Sequence, residues 1–280
     1  MTEPHELTAT EASARIDAGE LTAETLVESC IERIEARESA VRAWKHFDAD
    51  AARAQAKALD RGPRKGVLHG IPFGVKDIID TANMPTEHGS PIYEGHKPAI
   101  DAPCVALSLQ SGGVMMGKTV STEFASRHPG ATRNPHNPEY SPGGSSSGSG
   151  AAVADKMVPM AFGTQTGGSV IRPAAFCGCV GYKPTYGLFS AAGVKENTRS
   201  FDTVGLYGRS VDDVALFRAG VLAIDHAPLR DVAIGDLRVA LCRTMFWDRA
   251  CDETQSVIEG AAETLGKEGA QITDLALEGP

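Results

Sequence analysis

From Gly66 onward, short apolar runs alternate with segments of helical periodicity, and this alternation constrains the fold more than any other feature of the chain. Pro72–Ile79, Gly113–Val120, Val158–Thr164, Leu237–Arg243 and Ile272–Leu277 are expected strands. Ala102–Leu109, Gly150–Met157, Val211–Ile224 and Glu253–Lys267 are expected helices between them, and residues 141–150 an expected Gly/Ser loop. Strands interleaved with helices must bury both faces of a sheet, so the expected class is α/β. The first sixty or so residues read differently. Thr8–Ala18, Thr22–Ala36 and Ala40–Leu59 all carry helical patterns before Arg61-Gly62-Pro63 interrupts them. Residues 1–62 are therefore expected to be a helical segment packed on a core of residues 63–280. No internal repeat with a period of about 20–50 residues is found.

Composition narrows the function classes. The 280 residues are 42% hydrophobic and 22% charged, enough apolar material for a sizeable core. Lys and Arg number 27 against 36 Asp and Glu, a net charge of −9, which argues against a nucleic-acid backbone or an anionic membrane as partner. No run approaches the roughly 20 apolar residues that span a bilayer. Met1–Thr10 is polar, unlike a secretory leader, so a cytoplasmic location is expected. Of the six cysteines only Cys177 and Cys179 lie close together, and they have no second pair to complete a zinc site. They read as small thiols of a reducing compartment.

Three segments invite a chemical reading. Gly112–Thr119 matches the phosphate-loop pattern GxxxxGK[ST] letter for letter. The pattern works only with a strand before the loop and a helix after it, and here a helix precedes it while Val114-Met115-Met116 are strand residues. Gly144–Gly148 fits GxSxG with Ser146 as a nucleophile, but Pro138 and Pro142 forbid the strand that must lead into that elbow. The third segment, Gly163-Thr164-Gln165-Thr166-Gly167-Gly168-Ser169, links an expected strand to a plausible helix start. Two glycines permit a tight turn with several N–H groups pointing one way, beside a serine hydroxyl, as an acyl-transfer enzyme needs for its oxyanion. An ordinary Gly-rich turn fits the same residues.

A serine nucleophile needs a base. No histidine of the eight has a suggestive setting, which leaves lysine. Lys76 lies within the apolar run Ile71–Ile79, where burial would lower its pKa. A strand-edge lysine paired with a carboxylate explains the position equally well.

These residues together resemble the amidase signature hydrolases. The block Gly143–Gly187, GGSSSGSGAAVADKMVPMAFGTQTGGSVIRPAAFCGCVGYKPTYG, is similar to the signature itself. Gly70–Asp77 resembles the family's lysine strand, and Gly117-Lys118-Thr119 with Glu123-Phe124 its next segment, which accounts for the apparent phosphate loop. Phe201–Gly205 and Arg209–Asp213 fit the same pattern. The resemblance implies a mixed central sheet covered by helices on both faces. It implies a triad of Ser169 as nucleophile, Ser145 as bridging serine on a cis peptide, and Lys76 as base. Oxyanion donors would be the backbone of Thr166, Gly167, Gly168 and Ser169, with Gln165 and Arg172 supporting them.

The implied activity is hydrolysis of a carboxamide C–N bond through a Ser169 acyl-enzyme, releasing ammonia or an amine. It calls for a small-molecule amide substrate, no cofactor or metal, and no direct nucleic-acid or membrane partner; it leaves a homodimer open. Rival readings are an ammonia-generating subunit of a tRNA-dependent amidotransferase and an inactive truncated amidase. The chain departs from the family at Gln165, where Asp is commoner, at Ile171, where Arg is commoner and Arg172 follows instead, and at Ser147, where glycine is usual. Family members also continue well past Pro280, so a fragment truncated at its C-terminus is expected.

Overall fold

The computed structural model describes residues 2–276, which divide after Pro228 into two compact units. Helices α1 (Ala9–Asp17) and α2 (Ala23–Val41) open the first unit. Thr8 caps α1 by accepting from Glu11 N while Glu11 accepts from Thr8 N, a reciprocal pair that satisfies two otherwise orphaned donors. Thr22 caps α2 through Thr25 N. The expected third helix, Ala40–Leu59, is divided. Arg42 turns left-handed at φ 55°, β1 (Trp44–Phe47) follows, and α3 (Ala49–Arg61) starts only after Asp48 caps it by accepting from Ala51 N. Burial of Trp44 against its neighbours overrides the helical composition around it. The first 62 residues thus give the central sheet one of its strands and lie within the first unit.

The sheet continues with β2 (Pro72–Lys76), β3 (Val114–Thr119), β4 (Met160–Gln165), β5 (Val180–Tyr182) and β6 (Thr203–Gly208), in the order β1-β3-β2-β4-β6-β5. The central strands β3, β2 and β4 are parallel, while β1, β6 and β5 run antiparallel to their neighbours, so the sheet is mixed. The expected strands at 72, 113 and 158 correspond to β2, β3 and β4. Neither β5 nor β6 stood out in the sequence: β5 has three residues, and Gly205 and Gly208 dilute the alternation of β6.

Helices α4 (Pro103–Gln110), α5 (Ser147–Ala154), α6 (Ile171–Cys177) and α7 (Val211–Leu222) complete the unit. Side chains of a strand alternate between faces. Phe73 of β2 and Phe162 of β4 therefore share one face, and Phe217 of α7 packs on them at 6.0 and 4.5 Å between ring centres. Each such buried aromatic contributes about 1.5–3 kcal/mol. Gly74 and Lys76 point to the opposite face. There α5 is fastened, with Ser149 Oγ 2.7 Å from Thr119 Oγ1 and donating to Phe162 O. Helix α5 starts three residues earlier than its expected range, inside the Gly/Ser stretch. Its residues Ser147–Val153 are all buried, and small side chains allow this close approach to the sheet.

The second unit is a β–α–β element: β7 (Arg238–Cys242), α8 (Asp252–Lys267) and β8 (Gln271–Leu275), with β7 and β8 parallel. The last residue of the expected strand Ile272–Leu277 lies outside the described residues. Among the described residues no helix is long and apolar enough to cross a membrane.

Candidate active site

Lys76 is the last residue of β2, and the turn carrying Ser169 leaves the end of β4, its parallel neighbour. Both groups therefore lie at the carboxyl end of the sheet, where open α/β sheets place their ligand crevices. The loop entering α5 supplies the third group. Its Gly144–Ser145 peptide is cis, and Thr122 N donates to Ser145 O at 3.0 Å.

Lys76 is fully buried, with its Nζ 2.7 Å from Ser145 Oγ and 2.9 Å from Thr164 Oγ1. Among the described residues no carboxylate pairs with it, so the alternative of a strand-edge lysine in an ion pair does not hold. Burial drives this ammonium well below the ordinary lysine value, and the charge of Asp202 opposes the shift only in part.

The backbone joins the Ser145 loop to the Ser169 turn: Ser146 N donates to Ser169 O at 3.3 Å. Tyr207 of β6 donates its hydroxyl to Val170 O at 3.0 Å and reaches Ser169 O at 3.3 Å. Gln165 spans the turn, its Oε1 accepting from Val170 N at 2.9 Å and Ile171 N at 3.0 Å. It thereby satisfies donors at the start of α6 that no capping side chain at Val170 serves. Arg172 donates to Gly144 O at 3.1 Å, and its guanidinium covers Gly168. Among the described residues no acceptor pairs with the N–H groups of Thr166, Gly167, Gly168 or Ser169. Lys76 thus meets Ser145 directly, and the Ser145 loop and the Ser169 turn are joined through backbone and Arg172. The Ser169 hydroxyl makes no hydrogen bond to the described residues, Ser145 included.

Ser146, the serine of the GxSxG match, is buried and committed. Its Oγ donates to Thr164 O and accepts from Thr164 N, both at 3.2 Å. Ser147, which stands where the family usually has glycine, donates to Val120 O at 3.3 Å. The phosphate-loop match lies largely in β3, a fully buried strand with no converging N–H groups to receive a phosphate.

Three contributors were missed from sequence: Thr164, Tyr207 and Asp202. Asp202 accepts from Thr166 Oγ1, Asn197 N and Thr198 N, and so ties a second turn to the segment that begins at Thr166. A hydroxyl at the end of an apolar strand was the available signal for Thr164. Asp202 lay within the Phe201–Gly205 segment that fits the family pattern but had no role assigned, and Tyr207 gave no signal, its partners lying 37 and 38 residues away. A small cavity lined by Ile78, Ala125, Thr164, Thr166, Asn197 and Asp202 opens beside these groups.

A family profile described as Amidase matches residues 25–280. The chain belongs to the amidase family. A glutamyl-tRNA(Gln) amidotransferase subunit of Chloroflexus aurantiacus is 39% identical over 99% of this chain and 62% of its own length. The peptide amidase of Stenotrophomonas maltophilia superposes with a TM-score of 0.84 at 35% identity, over 97% of this chain and 62% of that one. A fatty acid amide hydrolase does so with a TM-score of 0.87 at 27% identity, over 99% and 54%. The chain therefore spans about three fifths of the length of the relatives it matches.

Proposed function

We propose that Lys76, Ser145 and Ser169 cleave a carboxamide C–N bond. What carries the reading is Lys76: a fully buried amine with no carboxylate partner among the described residues, 2.7 Å from a serine hydroxyl. Such an amine is neutral at a pH where a free lysine is charged, so it can take a proton. Neutral Lys76 accepts the proton of Ser145 Oγ while Ser145 accepts that of Ser169. Ser169 Oγ then bonds to the amide carbon, and the carbonyl electron pair moves to oxygen. Backbone N–H groups of Thr166, Gly167, Gly168 and Ser169 receive that oxyanion, each donor being worth about 10²–10³ in rate in comparable sites. The proton returns through Ser145 to the nitrogen as the C–N bond breaks, and ammonia or an amine departs. Water, deprotonated along the same path, releases the carboxylate. Gln165 and Arg172 hold the turn and the Ser145 loop in register.

The direct test is a serine-reactive fluorophosphonate. The reading requires one adduct, on the Ser169 peptide, and hydrolysis of simple aliphatic or aromatic amides. A protein that stays unlabelled, or is labelled elsewhere, refutes the assignment.

The identity to amidotransferase subunits favours a second reading, in which the same chemistry supplies ammonia to partner subunits. Labelling of Ser169 with no turnover of free amides until companion subunits are added would select it.

A further inference from the structure

Two lysines are fully buried on neighbouring strands, and the proposed chemistry uses only one. Lys118 of β3 is in register with Val75 of β2, which puts it on the face opposite Lys76. Its Nζ reaches three acceptors: Ile79 O at 2.8 Å, Thr86 Oγ1 at 2.5 Å and Pro85 O at 3.4 Å. It also lies 3.6 Å from the buried carboxylate of Asp77, the residue that follows Lys76. Asp77 in turn accepts from Glu87 N at 3.1 Å and Gly89 N at 3.3 Å. Every partner of Lys118 is an acceptor and every partner of Asp77 a donor, the pattern of an ammonium facing a carboxylate.

All these partners belong to one loop, residues 77–89, which leaves β2 directly after Lys76. The loop reaches the site by two routes. His88 O accepts from Phe124 N at 2.8 Å, and Ala125, next in the chain, lines the cavity with Ile78. Gly89 packs against Ser121 and Thr122, and Thr122 N holds Ser145 O.

We propose that Lys118 and Asp77 are a positioning pair that fastens the 77–89 loop, and thereby fixes Lys76 against Ser145 and the 122–125 wall of the cavity. The pair converts the apparent phosphate-loop lysine into an internal tie. Only its consequence for the site rests on the amidase reading; the fastening of the loop does not.

The test is hydrogen exchange of the wild type, Lys118→Met and Asp77→Asn at pH 7, below the value of about 8 to which burial lowers Lys118, combined with the rate of fluorophosphonate labelling of Ser169. Exchange at Glu87 and Gly89 should accelerate at least tenfold in both variants while α1–α3 keep wild-type protection. Labelling should slow by about 10–100-fold, the usual cost of small misplacements in a reacting constellation. Should Lys118→Met not fold, Asp77→Asn carries the test, because it keeps the side-chain volume and the Lys118 bonds to Ile79, Pro85 and Thr86. Unchanged loop exchange in a folded variant overturns the proposal, and so does a loosened loop with an unchanged labelling rate. If the wild type itself does not label, the amidase reading has failed, and loop exchange alone decides whether the pair fastens the loop.

Discussion

Replacing Lys76 with Met should change how stability depends on pH, by an amount that follows from burial alone. The folded protein lowers the pKa of Lys76, by burial first and against the weaker pull of Asp202. In the unfolded chain the same amine titrates near pH 10.4. Between the lowered folded value and about 10.4 the unfolded state holds one more proton, so stability rises with pH across that window. One proton corresponds to about 1.4 kcal/mol per pH unit. Below the window both states are protonated and the buried ammonium destabilises the fold in full; above it both are neutral and the penalty has gone. Lys76→Met removes this titration and leaves all others in place, Lys118 included. Urea unfolding followed by far-UV circular dichroism from about pH 7 to 10.5 should give a wild-type minus variant difference that climbs with a limiting slope of about 1.4 kcal/mol per unit. Parallel stability curves over the whole range, or a difference that falls with rising pH, would refute the claim that Lys76 is buried without a compensating charge.

Ser169→Ala should abolish fluorophosphonate labelling and amide turnover while the unfolding free energy from urea titration falls by no more than about 1 kcal/mol, since the lost hydroxyl has no hydrogen bond to the described residues. Lys76→Arg should be unreactive at every accessible pH, because guanidinium does not release its proton; near-native labelling by this variant would exclude a lysine base. Gln165→Ala should destabilise by about 0.5–2 kcal/mol through loss of the two N–H partners at the start of α6, seen in urea unfolding, and should slow Ser169 labelling in parallel. ATP or GTP at millimolar concentration should leave the melting temperature unchanged, and a rise that Lys118→Ala removes would restore the phosphate-loop interpretation.

Lys76 and Ser169 stood out as candidates from local patterns, a lysine in an apolar strand and a serine after two glycines. Ser145 came only from the resemblance to the amidase signature, the Gly/Ser stretch by itself pointing to Ser146. Their assembly was not legible, since Lys76 and Ser145 are 69 residues apart and only the sheet order brings them together. Where the reading of elements failed, tertiary packing had outvoted composition. Trp44–Phe47 lies among helix-forming neighbours yet pairs with β3, because that register buries Trp44. The start of α5 is poor in helix formers, yet it is helical where the sheet leaves space only for small side chains. Asp202 reaches Thr166 and Tyr207 reaches Val170 across more than thirty residues, a relation that no periodicity records.

The stretch SPGGSSSGSG has the composition of a flexible tether, but Ser145–Gly150 is buried and closely packed. A Cβ at Gly148 would run into Ala43 O and Val120 N, and one at Gly150 into Pro173. These glycines mark contact between backbones rather than freedom of movement. A protease that cuts exposed glycine–serine tethers should find no purchase there, and a tag inserted after Ser146 would have to part α5 from the sheet to be accommodated. An unbiased substitution library should therefore tolerate larger residues at Gly187, where the space is open, more readily than at Gly148, even though Gly187 has a left-handed φ of 78°. At Gly148 and Gly150 it is shape, not chemistry, that calls for glycine.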